Sequence, residues 1–170
     1  MNEDFAQLNA FGYTTVKNVK RYTYEVALQS MKSAVNRVTK YYDAFQRASD
    51  DLTKQGFVDA SIKAFEDYTE AFRDIMIMFC VDTDQDIPQT LAACIKNATK
   101  TLSVTISSQK LLELMYEQNK LVHEYYNIEY NTWQFLQLIT GVLDGLQELY
   151  AALFTVVKEN QLLDKRIYKK

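Results

Sequence analysis

Glycine and proline are scarce in this sequence, which has 4 glycines and 1 proline in 170 residues. Average proteins carry roughly 7% glycine and 5% proline. These two residues mark most turns and strand boundaries, so a β-rich chain of this length needs many more of them. The scarcity therefore excludes a β-rich fold and favours long elements with few turns.

Histidine and cysteine are also rare, with His123 as the one histidine and Cys80 and Cys94 as the two cysteines. A zinc site of ordinary composition draws on more such ligands. A di-iron site in a helical protein uses Glu-x-x-His pairs, but the residue three before His123 is Lys120. We therefore expect no metal, no cofactor and no enzymatic activity. The sequence leaves open whether the two cysteines pair.

One acidic segment begins like a calcium-binding loop, with Asp82, Asp84 and Asp86 at alternate positions. Such a loop needs glycine at its sixth position and a bidentate glutamate at its twelfth. Here these positions hold Ile87 and Ala93. The segment is therefore predicted to be a polar turn between two helices.

No segment resembles a signal peptide or a membrane span. The N-terminus lacks a basic region followed by an apolar run, and the longest uncharged stretch, 130–143, is shorter than the roughly 20 apolar residues of a span. Acidic residues outnumber basic ones by 22 to 19, which argues against a nucleic-acid partner. We expect a cytoplasmic location, or more broadly an intracellular or virion one.

Apolar residues recur in alternating steps of three and four along most of the chain, the heptad pattern of packed helices. This pattern predicts an all-α fold: an elongated, coiled-coil-like helical bundle of three to five helices with a long C-terminal helix. Residues 1–13 are predicted to be an N-terminal arm and 14–170 a single helical domain. The predicted helices are A (16–54), B (58–80), C (88–104) and D (108–166).

Glycines set two of the predicted boundaries. Gly56 is expected to end helix A. The apolar seam of helix A includes Leu28, Met31, Val35, Phe45 and Leu52. Gly141 and Gly145 fall inside helix D without shifting the phase of its apolar pattern. We therefore favour one continuous helix D, and a turn at these two glycines is the alternative.

Tyrosine is unusually frequent, with 12 copies. Adjacent tyrosines on a helix diverge by about 100°, so they cannot all face one core. Tyrosine and tryptophan are enriched at protein–protein contacts. The candidate interface residues are Tyr41, Tyr42, Tyr125, Tyr126, Tyr130 and Trp133. Polar residues at seam positions can fix helix register or partner choice, and the candidates are Gln118, Thr132 and Asn160.

These features favour a non-enzymatic structural or assembly subunit of a larger protein complex, such as a virion. It would act through helix–helix and tyrosine-rich contacts, with self-association or a larger assembly as the expected partnership. The alternative is a small cytosolic helical adaptor or regulatory protein that binds one partner protein. A bundle that is complete as a monomer would favour the adaptor.

Overall fold

The computed structural model describes residues 17–123 and 132–163, and the regular structure in these ranges is entirely helical, with no strand. The all-α prediction is therefore confirmed. Six helices are present in the described ranges: α1 (Lys17–Arg47), α2 (Asp51–Asp82), α3 (Leu91–Thr101), α4 (Ser108–His123), α5 (Thr132–Thr140) and α6 (Leu143–Glu159). The predicted count of three to five helices is not confirmed, and α4, α5 and α6 all fall within predicted helix D. No helix in these ranges is long and apolar enough to cross a membrane.

The turn between the first two helices lies at residues 48–50, before the position predicted from Gly56. Asp50 has extended backbone (φ −118°, ψ 151°), and its carboxylate accepts a hydrogen bond of 2.8 Å from the Thr53 backbone N–H. This side chain therefore caps the start of α2. Gly56 lies inside the helix, where one glycine costs only about 1 kcal/mol relative to alanine.

Helices α1 and α2 pack as an antiparallel hairpin. The Tyr24 hydroxyl, near the start of α1, donates a 2.7 Å hydrogen bond to Asp82 at the end of α2. Near the middle, Arg37 forms a 2.8 Å ion pair with Asp67. Residues early in one helix thus meet residues late in the other, which fixes the antiparallel direction.

Helices α5 and α6 pack against the hairpin and run in the same direction as α2. The rings of Phe65 and Phe135 meet edge to face, with centroids 5.7 Å apart. Further along, the buried Tyr68 hydroxyl donates a 2.8 Å hydrogen bond to the Leu146 carbonyl oxygen. Burial raises the pKa of Tyr68, so the phenol stays protonated and remains a donor.

A turn at residues 141–142 interrupts the region predicted as helix D. Val142 leaves the helical conformation (φ −125°, ψ 10°), beside Gly141, a residue of low helix propensity. The steps between buried residues nevertheless continue in phase across the turn, at Ile139, Val142, Leu146, Leu149 and Leu153. This unbroken phase explains why the sequence favoured one helix. Residues 124–131, also in predicted helix D, lie outside the described residues.

The last described helix ends at Glu159, earlier than the predicted 166. Gln161 adopts a left-handed conformation (φ 56°), and the Leu162 N–H donates to the Val157 carbonyl at 3.1 Å. These are the features of a Schellman helix end, which usually carries glycine. Because the sequence has no glycine here, its pattern did not reveal the end.

The connection between α3 and α4 is held against α6. The Glu148 carboxylate accepts hydrogen bonds from the backbone N–H and the hydroxyl of Thr105, and these bonds lower the pKa of Glu148. The buried Ile106 side chain packs at Gly145, where a Cβ atom would lie 2.8 Å from Ile106 Cδ1. The absence of a side chain at Gly145 therefore allows this close approach.

Candidate protein-contact site at the hairpin tip

The tip of the α1–α2 hairpin carries an aromatic contact with α5. The rings of Phe45 and Trp133 meet edge to face, with centroids 5.5 Å apart. Lys54 Nζ, from α2, lies 5.6 Å from the centre of the Trp133 ring. An aromatic pair contributes about 0.5–1.5 kcal/mol beyond area burial, and an exposed cation–π contact about 0.5–1 kcal/mol. The half-buried Trp133 is therefore held between the two helices.

Leu52 lies on the same turn of α2 as Lys54 and is 86% exposed. It is the most exposed large apolar side chain in the described ranges, ahead of Tyr116 at 62% and Val26 at 49%. Burying a leucine contributes about 1.5–3 kcal/mol relative to leaving it in water. We name Phe45, Leu52, Lys54 and Trp133 the tip patch.

Charges of both signs border the tip patch. Arg47 is exposed at the end of α1, and Asp50 and Asp51 are exposed at the start of α2. Hydrogen bonding from the Thr53 backbone N–H lowers the pKa of Asp50, so this cap is ionised at neutral pH. Lys54 adds a cation on α2, so the charges around the patch are Arg47 and Lys54, which are basic, and Asp50 and Asp51, which are acidic.

Three of the six predicted interface residues lie in the described ranges, and their role in a contact stays a prediction. Tyr41 and Tyr42 are half-buried on α1, within about one turn of Phe45, and both pack against the core. Trp133 is itself part of the patch. The other three, Tyr125, Tyr126 and Tyr130, lie outside the described residues. The sequence placed Phe45 and Leu52 in an apolar seam, and neither was predicted to be a contact residue.

The predicted polar seam residues lie on three different segments. Gln118 is buried in α4, whereas Thr132 is the first residue of α5. Asn160 is exposed at the end of α6, where its side-chain amide donates a 2.8 Å hydrogen bond to the Val156 carbonyl. Among these three, burial is shown for Gln118, and the register-setting role stays a prediction.

Both cysteines are buried free thiols. Cys80 Sγ lies 3.7 Å from the side-chain amide of Asn97 on α3. Burial raises the pKa of both thiols, to about 11 for Cys94. At neutral pH they are therefore protonated and poor nucleophiles.

In residues 17–123 and 132–163, no group of three or more His, Cys, Asp or Glu side chains could hold a metal ion. Comparison of the chain with protein-family models, curated proteins and solved structures finds no match. The interpretation of the tip patch therefore rests on its geometry and chemistry.

Proposed function

We propose that this chain is a non-enzymatic structural or assembly subunit of a larger protein complex, such as a virion, and contacts its partner through the tip patch. The observation that carries the proposal is the 86% exposure of Leu52 on the same helical turn as Lys54, which lies against Trp133. Apolar and aromatic side chains grouped on one surface and rimmed by polar ones are typical of protein contact sites, and the tip groups Leu52 with Phe45 and Trp133.

The packing supports an elongated helical bundle as the scaffold of this subunit. The α1–α2 hairpin packs on α5 and α6. Helix α4 contacts both α3 and α5. The apolar seams of these helices are buried within the single chain, as at Leu111, Leu114, Phe135 and Leu149. A partner is therefore not needed to cover these seams, and the tip patch is the better contact candidate.

A non-enzymatic role is supported by the chemistry that the chain offers. With 1 histidine and 2 cysteines, the chain offers little material for catalytic arrangements that depend on these two residue types. Burial leaves the two thiols protonated at neutral pH. Tyr24 and Tyr68 have raised pKa values because they are buried, and each donates a hydrogen bond that holds two helices together.

A helical adaptor that binds one partner is the second candidate function. The in-chain burial of the seams favours it, since the chain completes its own core without other copies. Both functions use a protein contact at the tip, and they differ in whether the complex holds many copies of the chain or one.

Site-specific crosslinking tests the proposed contact. A photo-crosslinking residue, p-benzoylphenylalanine, replaces Leu52 in cells that make the protein. The matched control carries it at Glu70, which is also exposed on α2 and lies about 27 Å further along the helix at 1.5 Å per residue. We expect discrete protein adducts from position 52 and none from position 70. No adduct from position 52, or the same adducts from both positions, would contradict the proposal.

A further inference from the structure

We propose that a groove between α1 and α2 is a second contact site of this chain, and that it takes an arginine side chain from a partner protein. The residues that define this hairpin groove are Val26, Ala27, Glu70, Ala71 and Asp74. Val26 lies roughly 28 Å from Phe45 along α1, at 1.5 Å per residue. The inference is therefore separate from the contact proposed at the tip patch, and either can hold without the other.

The floor and one wall of the hairpin groove are apolar. Ala27 on α1 and Ala71 on α2 are buried, and their small side chains leave a depression of about 200 Å³ between the helices. Val26 beside them is one of three exposed large apolar side chains in the described ranges. Pockets that hold drug-sized molecules have volumes of roughly 300–1,000 Å³. The smaller hairpin groove therefore suits one side chain of a larger partner.

The charged side chains among the residues that line this depression are all carboxylates. At the end nearest the tip, Asp67 is held by two cations, with Arg37 Nη2 at 2.8 Å and Lys63 Nζ at 3.4 Å from its oxygens. Glu70 and Asp74 follow along α2 on the same side, since residues three or four apart share a helix face. The two ion pairs thus neutralise one end of the groove, and the other end carries Glu70 and Asp74.

The other described cations near this end lie on different sides of the helices. Arg73 precedes Asp74, but its positive charge acts on the Cys94 thiol of α3. Lys32 is exposed on α1 two residues after Ser30, and residues two apart do not face the same way on a helix. The end of the hairpin groove at Glu70 and Asp74 is therefore negative, which complements a basic partner.

Arginine matches both the apolar and the acidic parts of the groove. Its aliphatic stem can pack on Val26 and Ala71 while its charged head reaches the carboxylates. Its guanidinium group carries five donors in a rigid plane, so it can bond to Glu70 and Asp74 together. Burial raises the pKa of Asp74 to about 6, and a cation beside it favours the charged form again. Carboxylates with shifted pKa values are frequent at functional sites.

Nuclear magnetic resonance of the full-length chain tests the groove with a defined probe. The probe is an alanine-based helical peptide with one central arginine, and the matched peptide carries citrulline, which has nearly the same shape without the charge. We expect the arginine peptide to shift the methyl resonances of Val26 and Ala71 in a saturable way. It should bind at least about tenfold more tightly than the citrulline peptide, because hydrogen bonds to charged groups are the stronger ones.

Variants of the chain show whether the two carboxylates carry this recognition. Glu70→Gln combined with Asp74→Asn should weaken binding of the arginine peptide at least about tenfold. Glu113→Gln removes an exposed carboxylate on α4 and should leave binding unchanged. Circular dichroism establishes that each variant is folded. Equal binding of the two peptides, equal binding by the double variant, or no shift at Val26 and Ala71 up to about 5 mM peptide would overturn the proposal.

The outcomes of this experiment and of the tip crosslinking are independent. The crosslinking control at position 70 replaces one of the two carboxylates, so that variant is not expected to hold the arginine partner. A failure of peptide binding overturns the hairpin groove and leaves the tip patch as proposed. A failure of crosslinking at position 52 overturns the tip patch alone.

Discussion

Individual residues decide how closely the segments approach, and two glycines show this in opposite ways. A Cβ at Gly145 would lie 2.8 Å from Ile106 Cδ1 and 2.9 Å from Ile106 Cβ, whereas one at Gly56 meets nothing within 4 Å. We expect Gly145→Ala to lower the free energy of unfolding by about 1–3 kcal/mol through overpacking. Gly56→Ala should raise it by about 0.5–1 kcal/mol because alanine favours the helix. Urea unfolding of both variants checks this pair, and equal effects would refute the proposed Ile106 contact.

One half-buried carboxyl group predicts a pH dependence of stability. Asp74 lines a groove of about 200 Å³ between α1 and α2, together with Asp67 and Glu70, and burial raises its pKa to about 6. The unfolded chain releases this proton near pH 4, but the folded chain holds it until about pH 6. The folded state therefore binds the proton more tightly, and stability from this group falls as pH rises from about 4 to 6.

Replacing the carboxyl group by an amide tests this sign. Asp74→Asn should gain free energy of unfolding relative to wild type as the pH rises from 4 to 7, on the order of 1 kcal/mol because water still screens a half-buried group. Chemical unfolding at the two pH values measures the change. A difference between variant and wild type that is the same at both values would rule out a raised pKa in the folded state.

At the scale of the helices, two of them are followed by a residue other than glycine in the left-handed conformation. This conformation is strained for a residue that has a side chain. Asp84 (φ 53°) follows α2 and Gln161 (φ 56°) follows α6. Asp84→Gly and Gln161→Gly should each raise the free energy of unfolding by about 1 kcal/mol, because glycine adopts this conformation without strain. The matched control is Ala151→Gly, an exposed position in the middle of α6, which should lose about 1 kcal/mol. Thermal unfolding distinguishes these outcomes, and a loss at all three positions would contradict the assigned helix ends.

The heptad pattern predicted the existence and the buried faces of the helices better than their ends. Positions in the predicted seam of helix A, such as Leu28, Met31 and Val35, are buried. The ends depend on local hydrogen bonds that the apolar pattern does not carry, such as the Asp50 cap. An acidic pair before a helix is the usual sign of its start, so Asp50 and Asp51 were the available signal.

The candidate site was predictable only in part, because its residues lie at a helix end that the apolar pattern did not locate. Trp133 was identified because aromatic residues favour contacts. Leu52 was assigned to the seam of helix A because its position fits that periodicity. Once the turn is placed at residues 48–50, Leu52 belongs to the first turn of a new helix and points away from the core. A boundary error of a few residues therefore concealed the most exposed apolar side chain in the described ranges.

At the scale of the whole molecule, the described helices bury their apolar seams, and the most exposed large apolar side chain in the described ranges lies at the hairpin tip. Leu52 packs little in the isolated chain, so Leu52→Ser should change the free energy of unfolding by less than about 0.5 kcal/mol. Phe45→Ala should lower it by more, because Phe45 contacts Trp133 and the core. The fluorescence of the single tryptophan reports unfolding in both variants. A large stability loss in Leu52→Ser would show that this side chain serves the fold rather than a contact.

The role of the tip is tested most directly by the size of the particle that contains this chain in fresh extracts of cells that make it. Size-exclusion chromatography would compare wild type, Leu52→Ser and Tyr116→Ser, the last being a control at an exposed aromatic residue on α4. We predict that wild type and Tyr116→Ser elute as a larger complex, and that Leu52→Ser elutes nearer the size of the 19.8 kDa chain. Wild type eluting as the free chain, or Leu52→Ser eluting with the intact complex, would contradict a contact at the hairpin tip.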